Sequence, residues 1–524
     1  MSISPLFIYK SSVLYLVIPI IFFFLGWTRL GTGLLFSVLL LFVTYIFFDK
    51  AKTMKSNNNF IVLSKDYFIA FVLLFLFLLS TGNTGFLGCW GVDIPWRNAI
   101  YQDLIRQSWP VVYDYSQSVL CYYMTFWLVP AAISSWLNLG ETGSNVALLL
   151  WMYIGLILIF LLLCEALMPK KEQVVLIAIL FLFFSGINTI GMLLRSFLIE
   201  PSPLISDYPG WASWEFTNFN INGIDVVYIL RNTYMNIADA YNQFFAIAIV
   251  TLLFYRFRYN PGCYAYIGLL VVPYSPIGFI GIIIIEFLEL AIDVLQRKKL
   301  HGLKSFYKHY LSGINLLAIL AIFPVFFLYY SMNLHASVYF DTGSTIKNSF
   351  LYIPWDKFRI GHFIIIFLYY YLYFLIYARL IYDTYRKDSI FWEILFCLVI
   401  FPFFKVGSSA DFNFTATICP YFLLCVLIIK HLLQKLNSNS FEVKDMILVF
   451  FLSVAMLTPI TQITSSLRGA YINNSISYKN STLKNAWSAD LLSDSLRDKG
   501  FEGFSNFLAR NYEKKVFFRY FAKR

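Results

Sequence analysis

One stretch, residues 81–116, gathers side chains able to do acid–base and anion chemistry: TGNTGFLGCWGVDIPWRNAIYQDLIRQSWPVVYDYS. Asp93, Arg97, Asn98, Asp103, Arg106, Trp109 and Asp114 fall within it, between two apolar runs. Pro95 disfavours helix up to Ile94, and a helix starts readily behind it. Asp93 then stands ahead of a short helix, in its positive N-terminal field. Arg97 and Asn98 follow about a turn later, and Asp103 and Arg106 share a face at i, i+3. An ionised carboxylate beside a guanidinium suits a general base or a metal ligand. A capping aspartate with a surface ion pair has the same spacing.

Three further stretches carry polar chemistry. From Glu200 the chain reads EPSPLISDYPGWASWEFTNFNINGIDVVYILRNTYMNIADAYNQ, bringing Asp207, Trp211, Trp214, Glu215, Asp225, Arg231 and Asp239, then Asn242 and Gln243. Indole and phenol faces suit sugar rings, and they equally suit an interfacial aromatic belt. In IPWDKFRIGHF, Lys357, Arg359 and His362 cluster. Such a group suits a lipid phosphate, where bidentate arginine is favoured, or plain headgroup anchoring. Glu286, Glu289 and Asp293 lie in or beside an apolar run. Intramembrane acids mark function by default, but these approach the basic 296–310 segment at helical spacing, which suits ion pairing near a helix end. Asp411 opens another apolar run, as a cavity-facing acid or a helix cap. Walker A, HExxH, paired CxxC and GxSxG patterns are absent, which argues against an ATPase, a zinc protease and a common serine hydrolase.

The composition says what must position these residues. Hydrophobic residues make up 59% of the 524, aromatics 20% and charged residues 13%, against about 25% charged in soluble domains. Mean hydropathy is +0.68. So much apolar surface places the chain among polytopic membrane proteins. The net charge of +11 then reflects basic cytoplasmic loops, and it carries no nucleic-acid meaning. The seven cysteines lie mostly in apolar runs and read as small buried hydrophobes. Residues 13–27 read as a retained helix, because no small-residue cleavage site follows them.

Apolar runs fall near 12–27, 31–48, 67–81, 117–137, 145–164, 173–198, 242–255, 263–274, 277–295, 311–331, 362–382, 390–404, 411–433 and 445–462. Lysine and arginine place 49–66, the Arg256–Arg258 turn, 296–310, Arg386–Lys387 and the 430–444 loop inside, and leave 82–116, 199–241 and 332–361 outside. Parity then requires one run to stop short of crossing. Residues 117–137 are the choice, because Pro130 breaks them and Tyr122, Tyr123, Trp127 and Trp136 suit the headgroup level. The expectation is an all-α polytopic integral membrane protein of about 13 transmembrane helices with its N-terminus in the cytoplasm. Residues 1–462 form the membrane domain, with outer loops. Residues 463–524 form a short polar C-terminal tail on the outer side, although its many basic residues run against the charge rule.

Several patches resemble bacterial membrane glycosyltransferases of the GT-C type. The first is Asp93, Pro95, Asn98, Ala99, Ile100, then Asp103-Leu104, Trp109-Pro110-Val111, Leu120, Tyr122-Tyr123 and Pro130-Ala131. The others are Asn242-Gln243 at the start of a span, the run ADFNFTATICPYF, and the ending KKVFFRYFAKR. The chain departs from the pattern in three places. A basic or histidine residue expected after the aspartate is represented by Arg97, Ala410 replaces the asparagine before Asp411, and Thr415 replaces an arginine.

The resemblance implies transfer of a sugar from a polyprenyl-phosphate carrier to a glycan, lipid or protein acceptor at the outer face of a bacterial inner membrane. It implies Asp93 as base or ligand of a divalent cation, and Asp103 as the second candidate. It implies Arg97, Arg231, Lys357 and Arg359 as competitors for the carrier phosphate. Asn98, Trp109, Tyr122, Tyr123, Asn242, Gln243 and Asp411 complete the substrate-binding candidates. The alternative is a flippase, transporter or polymerase component of envelope polysaccharide assembly. A transporter wants polar groups near the bilayer midplane, on broken helices in paired halves, whereas the polar residues here cluster in outer loops.

Overall fold

The structure, a computed structural model, describes residues 2–53, 60–88, 94–114, 117–190, 218–221, 224–227, 230–298, 311–333, 360–404, 411–473 and 507–523. At 95, 218–221, 224–227, 296–298, 360–369, 411, 472 and 473 it describes the backbone alone. Strand β1 (Ser2–Ile3) leads into the helices α1 (Pro5–Trp27) and α2 (Leu30–Thr53), which pack as a hairpin. Ser4 starts α1 by accepting the Phe7 amide at 3.2 Å, and Pro5 fits the first turn. Strand β2 (Ile61–Val62) pairs antiparallel with β1 and is followed by α3 (Lys65–Ser80) and α4 (Ile94–Arg106). Strands β3 (Val112–Tyr113) and β4 (Ser118–Leu120) precede α5 (Leu128–Trp136), α6 (Glu141–Leu167) and α7 (Val174–Leu182). A hairpin of β5 (Asn218–Ile221) and β6 (Ile224–Val227) comes before α8 (Thr233–Phe257) and α9 (Tyr264–Leu269). Then come α10 (Pro276–Lys298), α11 (Gly313–Ser331), α12 (Ile360–Tyr385), α13 (Ser389–Ile400), α14 (Asp411–Ala416), α15 (Ile418–Ser438), α16 (Val443–Ala455) and α17 (Leu457–Asn473), with β7 (Leu508–Arg510) near the end.

Among the described residues, seven helical stretches are long and apolar enough to cross a membrane: Pro5–Trp27, Leu30–Thr53, Glu141–Leu167, Thr233–Phe257, Gly313–Ser331, Phe412–Ser438 and Val443–Tyr471. The chain is a multi-pass helical membrane protein. The stretches formed by α8 and by α14–α15 are 94% buried and sit at the centre, whereas α2 is only 33% buried. The outward residues of α2 include Leu35, Val38 and Phe42, so its exposed face is as apolar as its packed one. That is the mark of a helix facing lipid.

Side-chain contacts sort the bundle into two ends. At the first, Tyr9 of α1, Glu165 of α6 and Arg256 of α8 meet, and Lys430 of α15 reaches Tyr255. At the second, Trp27 meets the C-terminal segment, Tyr329 of α11 meets residues 120–122, and Tyr234 of α8 meets the end of α3.

Several expectations are corrected. The span expected from residue 242 starts at Thr233, because Asn232 caps it by accepting the Met235 amide at 2.8 Å. Asn242 and Gln243 therefore lie in its third turn, and the loop ends earlier than 241. Run 263–274 yields only the six residues of α9, about 9 Å of helix. Run 117–137, by contrast, agrees with the expectation that it stops short of crossing: it is strand followed by the nine-residue α5, about 14 Å against a hydrocarbon core of about 30 Å. The boundary at 462 falls inside α17, and the tail is no appendage. Its β7 pairs with β4, Val119 opposite Ala509, to complete a three-stranded antiparallel sheet. Phe517 and Ala522 are fully buried, and the Lys523 amide donates to the Trp27 carbonyl at 3.0 Å. Glu286 and Glu289 turn inward, and the Glu289 carboxylate accepts the Ser389 hydroxyl at 2.7 Å.

Candidate functional site

The second end holds a cluster of buried polar side chains around a break in α8. Ala240 leaves the helical region, at φ −136° and ψ 29°. A break of this kind arises where a side chain enters the hydrogen-bond ladder. Here Asn83, in the turn after α3, donates its amide to the Ile237 carbonyl at 2.6 Å. The turn that delivers Asn83 needs glycine. Gly88 has φ +88°, and a Cβ there would run into the Ser80 carbonyl oxygen.

Tyr241, Asn242 and Gln243 follow the break, all buried. The Tyr241 hydroxyl accepts the Trp127 indole N–H at 2.9 Å and lies within electrostatic reach of Arg97 on α4. The Asn242 amide donates weakly to the Tyr123 carbonyl at 3.5 Å, and Gln243 accepts the Ser275 hydroxyl at 2.7 Å. Tyr122 and Tyr123 pack with ring centroids 3.7 Å apart, and Tyr122 stacks towards Trp127. Arg97, Tyr122, Tyr123, Asn242 and Gln243, spread over about 150 residues, thus meet in one chain of contacts. The Oδ1 atoms of Asn83, Asn236 and Asn242 are buried with no hydrogen-bond partner among the described residues. Such atoms normally have one, and each exception asks for a ligand, a water or a strain account.

The other candidates lie elsewhere. Asp93, Lys357 and Arg359 lie outside the described residues, although α4 begins at the residue after Asp93. Asn98 is half-buried on α4. Asp103, on the same helix, is fully buried and accepts the Tyr113 hydroxyl at 2.7 Å, so its carboxylate fastens α4 to the small sheet. Trp109, joined to Pro110 by a cis peptide bond, donates its indole N–H to the Leu104 carbonyl at 2.8 Å and packs on Trp27 at 5.3 Å. It lines a separate open cavity of about 970 Å³, whose other wall is Tyr512, Lys514, Arg519 and Lys523 of the tail. Arg231 lies over the Phe414 ring at 4.9 Å, one helical turn from Asp411, which opens α14. The Arg231 carbonyl accepts the Asn236 amide at 3.0 Å.

The Tyr101 phenol is pushed well above its ordinary range by burial, against a smaller opposing hydrogen bond from Ser134. Burial likewise raises the Cys121 thiol, with Lys515 opposing, so this cysteine is a poor nucleophile. Among the described residues no group of three or more His, Cys, Asp or Glu is arranged to hold a metal ion. The contacts described for the cluster are made by amide, phenol and indole groups.

Sequence reasoning missed Tyr241, Asn83 and the helix break. Tyr241 had a signal, being adjacent to Asn242; Asn83 acts across 154 positions and had none. No family model, curated protein or solved structure matches the chain.

Proposed function

We propose that the chain is a GT-C type glycosyltransferase of about 13 membrane-spanning helices that moves a sugar from a polyprenyl-phosphate carrier to an acceptor at the extracytoplasmic face of a bacterial inner membrane. The first end, rich in lysine and arginine, is the cytoplasmic one under the charge rule, which puts the N-terminus inside. In this reading Asp93 takes the proton of the acceptor hydroxyl as that oxygen attacks the anomeric carbon. The carbon–phosphate oxygen bond breaks with its electron pair on the departing phosphate. The carboxylate stabilises the oxocarbenium-like state, and Arg97, with Arg231, Lys357 and Arg359 as competitors, neutralises the phosphate.

The observation that supports it is the buried cluster at the α8 break. Arg97 carries a fixed charge there, Tyr122 and Tyr123 offer flat faces, and the Asn242 Oδ1 has no partner among the described residues. Asp93 sits one residue ahead of the helix that brings Arg97 in. The test is Asp93→Asn in purified protein supplied with radiolabelled polyprenyl-phosphate sugars. Transfer falls by about 10²–10⁴-fold at unchanged expression, and retained turnover refutes the role.

A second reading, a lipid-sugar flippase or transporter, draws on a different observation. Glu286, Glu289 and Glu393 are buried within the helical bundle, and α8 is broken, both of which transporters use. Purified protein that moves labelled lipid-sugar across vesicles without consuming it would favour this reading.

A further inference from the structure

The first end of the bundle contains a cavity of about 680 Å³ that the proposed chemistry does not use. Its size falls within the roughly 300–1,000 Å³ of ligand pockets. The connection between α6 and α7 forms one wall and contributes Lys170 and Lys171; the end of α8 contributes Arg256 and Arg258; α15 contributes Lys430. Against these five cations stand the carboxylates of Glu165 and Glu172.

The cations differ in what they have left to give. Arg258 is neutralised outside the cavity by Asp388, which accepts from both of its Nη atoms at 2.9 and 3.0 Å. Among the described residues Arg256 directs only its Nε–H to protein, towards Glu165 at 3.0 Å and the Tyr9 hydroxyl at 2.8 Å. These two contacts set the guanidinium plane and leave its Nη donors unspent. Lys430 donates to the Tyr255 hydroxyl at 3.0 Å and lies over that ring, with further N–H donors to spare. Lys170 and Lys171 are exposed at the mouth, with no side-chain partner among the described residues. The rim is apolar: Phe60, Val62, Met168 and Tyr259 are all exposed.

A planar arginine fork with ammonium groups around it is the donor set of a phosphate. An apolar rim beside such a set, at the end of a membrane bundle, suits a phosphate that carries acyl chains. Basic pockets between membrane helices hold anionic headgroups by this combination. We infer that this cavity binds the phosphate of an anionic phospholipid, with Arg256, Lys430, Lys170 and Lys171 as donors and Glu165 as the residue that positions the Arg256 fork. The site lies at the other end of the bundle from Tyr241 and Asn242, and it stands whether or not the chain transfers sugars.

The experiment uses the whole protein in nanodiscs of phosphatidylcholine alone or with phosphatidylglycerol added, reading Tm and, by native mass spectrometry, retained phosphatidylglycerol. The expected result is a Tm several degrees higher with phosphatidylglycerol. Lys171→Ala weakens retention about five-fold, and Lys170→Ala with Lys171→Ala abolishes the Tm rise while keeping the wild-type Tm in phosphatidylcholine. Lys52→Ala removes a charge at the same end but outside the cavity, and it leaves the rise intact. Equal Tm in the two discs, a rise that survives the double substitution, or an equal loss in Lys52→Ala overturns the site. Millimolar inorganic phosphate in phosphatidylcholine discs separates the sources: if it reproduces the rise, the lipid assignment is overturned in favour of soluble phosphate.

Discussion

The two ends of the bundle solve the problem of buried polarity differently. At the first end, several charged side chains are paired. Arg258 grips Asp388, Arg256 meets Glu165, Lys444 bridges Asp383 and Glu442, and His431 lies 2.8 Å from Asp445 with both side chains almost fully buried. At the second end the polar contacts among the described residues include many amide, phenol and indole groups aimed at backbone: Asn83 to Ile237, Tyr234 to Ser80, Trp109 to Leu104, Tyr329 to Leu120 and Tyr122. Ion pairs saturate each other and mainly hold structure. Amides have more donors and acceptors than one neighbour uses, and buried amide oxygens are left over there. The second end is thereby suited to receiving a polar ligand, while the first combines ion pairs that anchor helices with the spare donors of its cavity.

Four substitutions sharpen or break this contrast. The largest loss of stability is expected from Asp445→Asn, which breaks the buried pair with His431 and the Asp445 contact that caps α16 at the Glu442 amide, 2.9 Å away. Removing one partner of a buried pair costs about 3 kcal/mol or more, measured as a fall in thermal midpoint in detergent. Gly281→Ala comes next. A Cβ there would meet the Ala416 backbone carbonyl, forcing α10 away from α14 at about 1–3 kcal/mol. A wild-type midpoint would show that close packing does not hold the Asp411 helix.

Asn242→Ala inverts the pattern. Among the described residues its side-chain hydrogen bond is long, at 3.5 Å, and its Oδ1 has no partner, so stability changes by about 1 kcal/mol or less. Under the proposed function, sugar transfer nevertheless falls at least about ten-fold, the loss of one ligand hydrogen bond. A large stability loss with normal turnover would make this cluster purely structural. The smallest effect is that of Glu442→Gln. Hydrogen bonds from Lys435 and Lys444 hold the exposed Glu442 carboxyl below its usual range. A depressed acid contributes stability above its unfolded pKa and loses it as pH falls through the folded one. The small difference in midpoint between wild type and variant is therefore present at neutral pH and disappears below about pH 4.

The helical membrane class was legible because hydropathy is a property of neighbouring residues. The runs at 12–27, 31–48 and 145–164 match α1, α2 and α6 closely, since an apolar segment of that length has few alternatives to helix in lipid. The pile-up of lysine and arginine at one end was equally visible. Legibility failed where polar residues were buried by others. Residues 233–241 read as loop because TYMNIADAY is too polar for a span, yet Asn83 and Gln462 supply partners, the latter by accepting the Asn232 amide at 2.9 Å. The polar tail read as detached because nothing nearby in sequence shows that Leu508–Arg510 pairs with Ser118–Leu120.

What the sequence determined alone was the solvent each segment must have: lipid for the apolar runs, water for the charged ones. The tertiary structure decided the rest: that α8 breaks at Ala240, that Arg97 comes within reach of Tyr241, that Trp109 belongs with the tail, and that Glu289 answers Ser389. The physical reason is range. Transfer from water to lipid is summed over consecutive residues, whereas a hydrogen bond between partners 154 positions apart exists only once the bundle has closed around it.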